Sequence, residues 1–293
     1  MFQSCLICTD FADGLYRFVE FVPSLAAGGI QQIVFCHSVP VWEEGEIPRI
    51  DEDAIAAARA RLSAGLKNIP DGIEVHIEVI SGRPLDNIPK VAQQYQSDVI
   101  LTGSTSRSFL QETLFGSTTV GLARAGMTPL LILRPQLIST YTREELDLRC
   151  QHLLRYVLIP YNGSKAAKYV VQRVKEYAQK SPAGSLQQCA LLWIIEEGGR
   201  TAILKEQQRQ AAQVELEQLK AELESLGLAV HTEVRQGNPH IQLLDAAMLL
   251  DISAIAISSD HLGTILEWPV GSFAGDLMRR CWHPVLFFPP RSS

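Results

Sequence analysis

The chain carries much of its own sequence twice. Shifted by 155 positions, residues 255–289 lie on residues 100–134 without a gap. Gly116-Ser117 falls on Gly271-Ser272, Glu112 on Glu267, Leu122 on Leu277, Arg124 on Arg279 and Pro129 on Pro284. The same shift places VHIEV (75–79) on VHTEV (230–234) and Gly82-Arg83-Pro84 on Gly237-Asn238-Pro239. A repeat of this length constrains the fold more than any propensity, because each copy must close on its own core. With 293 residues, the chain has room for two domains of ordinary size.

Each copy reads as strands alternating with helices. In the first, residues 6–9 form an apolar strand, and Leu15, Phe18, Val19, Val22 and Leu25 keep helical spacing until Gly28-Gly29. Strands follow at 33–36 and 73–80, separated by an alanine-rich helix from Asp51 with Ala54, Ala57, Ala58, Leu62 and Leu66 inward. Gly82-Arg83-Pro84 turns into a helix carrying Ile88, Val91, Ala92 and Tyr95; strands at 98–102 and 130–133 complete the unit. Helical crossovers between strands imply a parallel, doubly wound five-stranded sheet with its ligand crevice at the strand C-termini. The expected division is 1–135, a polar connector 136–154, and 155–293, where a longer second helix spans 202–226.

The last strand-to-strand stretch of the first copy carries the chemistry. The strand ending at Thr102 runs into Gly103 and the polar residues Ser104, Thr105 and Ser106; Gly116 and Ser117 then open a helix. Such a turn and helix start present backbone N–H groups to an anion without a side chain in the way. Net charge is −6 and the basic residues form no block, which argues against nucleic acid as a partner. Apolar runs fall short of the ~18 residues of a membrane span. The start MFQSCLICTD has no charged leader, so the expected location is the cytoplasm. Cys5 and Cys8 have CxxC spacing, but inside a strand they face opposite ways, so all six cysteines read as reduced core residues.

The motifs LICTDFAD, FCHSV, GRP and Gly103-x2-Ser106-x9-Gly116-Ser117 together resemble the universal stress protein family in its tandem, two-domain form. The resemblance covers nearly the whole chain apart from the connector. It implies two pseudo-two-fold related, adenine nucleotide α-hydrolase-like units, and ATP or AMP, with or without Mg2+, in the first of them. Ligand-binding members of the family carry Gly-x2-Gly-x9-Gly-Ser/Thr; here Ser106 replaces the second glycine. The resemblance makes Asp10 the acceptor for ribose hydroxyls and Ser38 the neighbour of the base. Gly103, Ser106, Gly116 and Ser117 are then the phosphate loop. The alternatives are a helix-capping Asp10, a plain turn glycine at Gly103 and a simple N-cap at Ser117.

In the second copy Asn162, Ser258 and His261 replace the aspartate and the two glycines, and Asp260 adds negative charge. This half is expected to bind no nucleotide. Neither a catalytic set nor a metal site is assigned, and the usual P-loop spacing is absent. The leading expectation is a stress-response or regulatory nucleotide binder. A slow ATPase or nucleotidyl-transfer enzyme and a non-binding interaction protein are the alternatives. The resembling family pairs last strands between chains; here the two copies are expected to pair theirs within one chain, leaving a further homodimer open.

Overall fold

The structure, a computed structural model, describes residues 1–293 except 13, 42–48, 104–116, 127, 181–184, 198–201, 260–272 and 291–293. The chain divides into two compact units, Phe2–Gln151 and His152–Ser293, the latter joined by Met1.

In the first unit β1 (Ser4–Cys8), β2 (Gln32–Val39), β3 (Glu74–Ser81), β4 (Val99–Gly103) and β5 (Leu130–Leu133) form a parallel sheet in the order β3-β2-β1-β4-β5. Between them run a 3-10 helix (Leu15–Phe21) and α1 (Val22–Ala27), then α2 (Glu52–Gly65), α3 (Pro84–Gln94) and α4 (Ser117–Ala125). Right-handed crossovers place α1 and α2 on one face and α3 and α4 on the other. Central strands are therefore covered on both sides, and Leu6, Ile7, Ile33, Val34, Phe35, Leu101 and Leu130 are fully buried. The inward face of α2 is narrower than its alanine spacing suggests: Ala58 and Leu62 are buried while Ala57 is exposed.

The helix expected to run unbroken from Gly14 to Ala27 is split. Pro23 has no N–H to give the carbonyl one turn back, so the chain forms a 3-10 segment and restarts as α1 with the proline in its first turn. The stop lies where Gly28-Gly29 indicates, with Ile30 N–H donating to the Leu25 carbonyl (3.1 Å) and Gly29 in the left-handed region (φ 98°).

Residues 136–154, polar in sequence, are largely helical: α5 (Pro135–Thr140) and α6 (Arg143–Gln151). Leu146 and Cys150 of α6 are buried against α1 and the 3-10 helix. Arg17 donates to the carbonyls of Ile138 and Tyr141, Ser24 donates to Asp147, and Arg143 pairs with Glu20 at 3.0 Å. A Cβ on Gly28 would meet the carbonyl oxygens of Gln151 at 2.9 Å and Cys150 at 3.0 Å. Gly28 thus serves this close approach as well as the end of α1.

The second unit repeats the plan: β6 (Tyr156–Pro160), α7 (Lys165–Lys180), β7 (Gln188–Ile195), α8 (Ala202–Glu224), β8 (Ala229–Gln236), α9 (Pro239–Leu249), β9 (Ala254–Ser258), α10 (Phe273–Arg280) and β10 (Val285–Phe288). Its parallel order is β10-β9-β6-β7-β8. The repeat extends to backbone conformation. Gly82 and Gly237 both take left-handed φ (120° and 139°), with N–H groups donating to Val39 and Ile195. Gln96 and Asp251, at one repeat position, are left-handed too, both at 50°.

All six cysteines are free and buried. Burial pushes the thiols of Cys5 and Cys150 up, and that of Cys189 up to about 12. A thiol held protonated is a packing group rather than a nucleophile.

Candidate functional site

In each unit the central strand is flanked by two strands that the chain reaches in opposite directions, and there the crossovers leave a crevice at the strand C-termini. In the first unit β1 has this position, between β2 and β4. The Cys8–Cys36 pair ends the β1–β2 register, and the Thr9 N–H still donates to the Cys36 carbonyl (3.0 Å). Two residues further on, Asp10 and Ser38 stand at one level, while Gly103 ends β4 on the other side of β1. The fold therefore brings Asp10, Ser38 and Gly103 to three adjacent strand ends. Ser106 and Gly116 lie outside the described residues; Ser117 begins α4, and its side chain also lies outside them.

Asp10 is exposed, and its Oδ1 accepts from the Ala12 N–H at 2.9 Å. It does not cap the next helix: Gly14 has that position and no side chain caps it. Phe11, between them, is left-handed (φ 62°), where the second copy has Gly163 at φ 73°. A non-glycine residue loses roughly 1–2 kcal/mol there. Ring packing opposes that loss. The Phe11 ring is 4.4 Å from the His37 ring, and the exposed Arg61 guanidinium lies 4.4 Å from Phe11 and 4.6 Å from Tyr16. His37 Nδ1 lies 2.8 Å from the Thr9 carbonyl, closing the turn that presents Asp10.

Ser38 points the other way along the pleat, toward α3. Its hydroxyl accepts from Asn87 Nδ2 (3.2 Å), and the same buried amide lies 3.3 Å from the Ser81 carbonyl. The Gly103 carbonyl accepts from the Thr119 hydroxyl (3.3 Å), which is itself 3.3 Å from that of Thr102. Both threonines are buried, so they tie the first turn of α4 to the end of β4.

The second unit contains something its sequence pattern does not announce. A pocket of about 300 Å3 opens at the ends of β6, β7 and β9, among the first turns of α7, α9 and α10. Pro160, Val170, Leu192, Ile194, Ile257 and Phe273 supply most of its apolar wall. The duplication was the available signal, since the switch-point crevice recurs with the fold even where its glycines do not. Asn162 Oδ1 accepts from Ser164 N–H (3.1 Å), and Ser164 Oγ accepts from Ala167 N–H (3.2 Å), capping α7. The Ser258 hydroxyl donates to the Phe288 carbonyl (2.7 Å). Behind this edge, buried Tyr161 donates to Glu215 Oε1 (2.7 Å) and sets its ring 5.6 Å from Trp193, edge to face. Burial first, then the Glu215 bond, pushes the Tyr161 phenol well up. Among the described residues no group of three or more His, Cys, Asp or Glu could hold a metal, and no helix is long and apolar enough to cross a membrane.

Fold and crevices together define a tandem α/β protein of the doubly wound class. The universal stress protein family model matches residues 1–134 and again 154–289, so the chain belongs to that family, as two tandem domains. Universal stress proteins of Mycobacterium tuberculosis and Mycobacterium bovis are each 25% identical to it over 266 residues, 85% of this chain and 86% of theirs. A solved universal stress protein from Archaeoglobus fulgidus shares 19% identity, covering 97% of this chain and 96% of its own, with a TM-score of 0.64. A functionally unknown protein from Pseudomonas aeruginosa superposes with a TM-score of 0.57 at 14% identity, covering 99% of this chain and 93% of that one. At such identities the two structures support the fold alone.

Proposed function

We propose that the first unit binds an adenine nucleotide, ATP or AMP, with or without Mg2+, and that the chain acts in a stress-response or regulatory role through that occupancy. The observation that carries this reading is the convergence of Asp10, Ser38 and Gly103 at the switch point, with α4 beginning at Ser117. In this reading the exposed Asp10 carboxylate accepts from ribose hydroxyls. The backbone at Gly103 borders the sugar-phosphate, and the α4 N-terminus, with Ser106, Gly116 and Ser117, takes the phosphates. That the local bond of Asp10 runs to a turn N–H, outside any helix, supports this reading over that of a helix cap.

One observation favours the rival reading, a structural interaction protein. The Ser38 hydroxyl is already bonded to Asn87, so it serves the docking of α3. Native mass spectrometry of the purified chain separates the two. Retained ATP or AMP that disappears in Gly116→Asp supports binding; bare protein that takes up no labelled ATP at millimolar concentration refutes it. Two retained nucleotides per chain would contradict the expectation of a single site in the first unit. Release of ADP on incubation with ATP would add slow hydrolysis to the reading.

A further inference from the structure

We propose that the outer face of α9 is an interface at which two copies of this chain pair about a two-fold axis, α9 against antiparallel α9. The inner side of the helix is ordinary: Leu243, Ala246 and Ala247 are buried. Outward, Ile241, Asp245, Met248 and Leu249 recur at helical spacing and share an arc of about 100°. The three apolar members are 66%, 69% and 70% exposed. Apolar residues scattered singly over a surface are normal, but three on one short helix face form a patch. The duplication supplies the comparison. At the same register α3 carries Asp86, Lys90, Gln93 and Gln94, all exposed. One fold position, built twice, is thus polar in the first unit and apolar in the second, so the fold itself does not require the apolar side chains.

Trp282 extends the patch. α9 and α10 both run back across a parallel sheet, so they point the same way, and their first turns meet where the His240 and Phe273 rings lie 4.9 Å apart. Their C-terminal ends share the other end of the layer, where Trp282, just past α10, is 63% exposed. The four apolar side chains together expose on the order of 500 Å2, against the ~800 Å2 per partner of a standard stable interface. Two such faces therefore suit a weak, reversible dimer. A second copy fits because the face is self-complementary. In an antiparallel pair centred on Asp245, Ile241 of each copy meets Met248 and Leu249 of the other. Asp245 reaches the axis with its charge already answered: Arg235 Nη1 donates to its Oδ2 (2.6 Å), while Arg235 Nε donates to Glu233 (2.8 Å). The arc itself holds no lysine or arginine, so an anionic membrane surface finds no basic group on it.

Sedimentation velocity of the full chain from about 1 to about 200 µM tests this, since an interface of ~1,000 Å2 in all belongs with the weak, transient class. Expected is monomer at the low end and dimer at the high end. Met248→Gln combined with Leu249→Gln installs the first unit's own residues at these positions. The double variant should raise the dissociation constant tenfold or more while leaving the urea unfolding midpoint unchanged. Cross-linking under a mild oxidant reads the register, the six native cysteines being buried. Chains carrying Ile241→Cys, mixed with chains carrying Leu249→Cys, should give the mixed linked dimer in preference to either self-linked one. A chain monomeric at the highest concentration, a dimer that the double variant leaves intact, or cross-linking without preference for the mixed pair would each overturn the pairing. Association with phosphatidylserine vesicles that the double variant loses would also overturn it, assigning the face to a lipid surface.

Discussion

Replacing Tyr161 by phenylalanine removes one oxygen from the edge of the second-unit pocket and tests how that edge is held. Tyr161 is buried, and its hydroxyl donates to Glu215 Oε1 at 2.7 Å. A hydrogen bond to a charged group contributes ~1.5–3 kcal/mol. Glu215 is 35% exposed and has Lys168 at 3.9 Å, so water and a cation recover part of the loss. The expected cost at pH 7 is at the low end, about 1–1.5 kcal/mol. Alkali should then shrink the difference. The folded-state phenol is raised above its ordinary value of about 10. Its stabilisation is therefore intact below pH ~10 and is lost as pH climbs through the folded value, with a slope of at most ~1.4 kcal/mol per pH unit. The variant lacks this term, so the two chains converge above pH 10. Urea unfolding followed by tryptophan fluorescence, with Trp193 packed against the substituted ring, measures the difference at pH 7, 9 and 11. A gap below ~0.3 kcal/mol at pH 7, or one that widens with pH, would refute this account of the Tyr161–Glu215 pair.

Gly28→Ala should destabilise the first unit by about 1–3 kcal/mol, because its Cβ would press on the carbonyls of Gln151 and Cys150. Hydrogen exchange should then speed up in α6, and unchanged exchange there would show that α6 is not held by this contact. Asn87→Leu should cost about 2 kcal/mol by stripping its amide from Ser38 and Ser81. If the Ser38 hydroxyl serves only α3, labelled-ATP affinity in that variant will fall no more than stability explains; a larger fall would place the hydroxyl in the binding site.

Much of the architecture was legible before any coordinates. Strands buried on both faces are continuous apolar runs, and the turns on either side of the third strand keep their glycines in both copies, Gly72 with Gly227 and Gly82 with Gly237, so the alternation could be read from the sequence. Asp51 opens α2 and caps it through the Ala54 N–H (2.8 Å), as its position before the alanine run indicates. Of the set Ile88, Val91, Ala92 and Tyr95, the first three are buried as their spacing requires, while Tyr95, at the C-cap of α3, is only half-buried. These signals are local, carried by neighbours within one turn or one pleat.

What the pattern missed depends on distant partners. Phe11 appears as an ordinary loop residue until His37 and Arg61, from other elements, close on its ring and hold a left-handed turn. The stretch 136–154 reads as a polar connector because many of its side chains face water; only the packing of Leu146 and Cys150 against α1 reveals residues 136–151 as part of the first compact unit. Likewise Asn162, Ser258 and His261 announce the loss of a phosphate loop, but not the space left behind. That space exists because the ends of β6, β7 and β9 and three helix starts converge on it. By itself, then, the sequence determined the duplicated strand-helix order, the parallel sheets and the place of a crevice in each unit, since covalent spacing and burial period dictate them. Which side chains meet at those crevices was decided only by tertiary contacts between residues far apart in the chain.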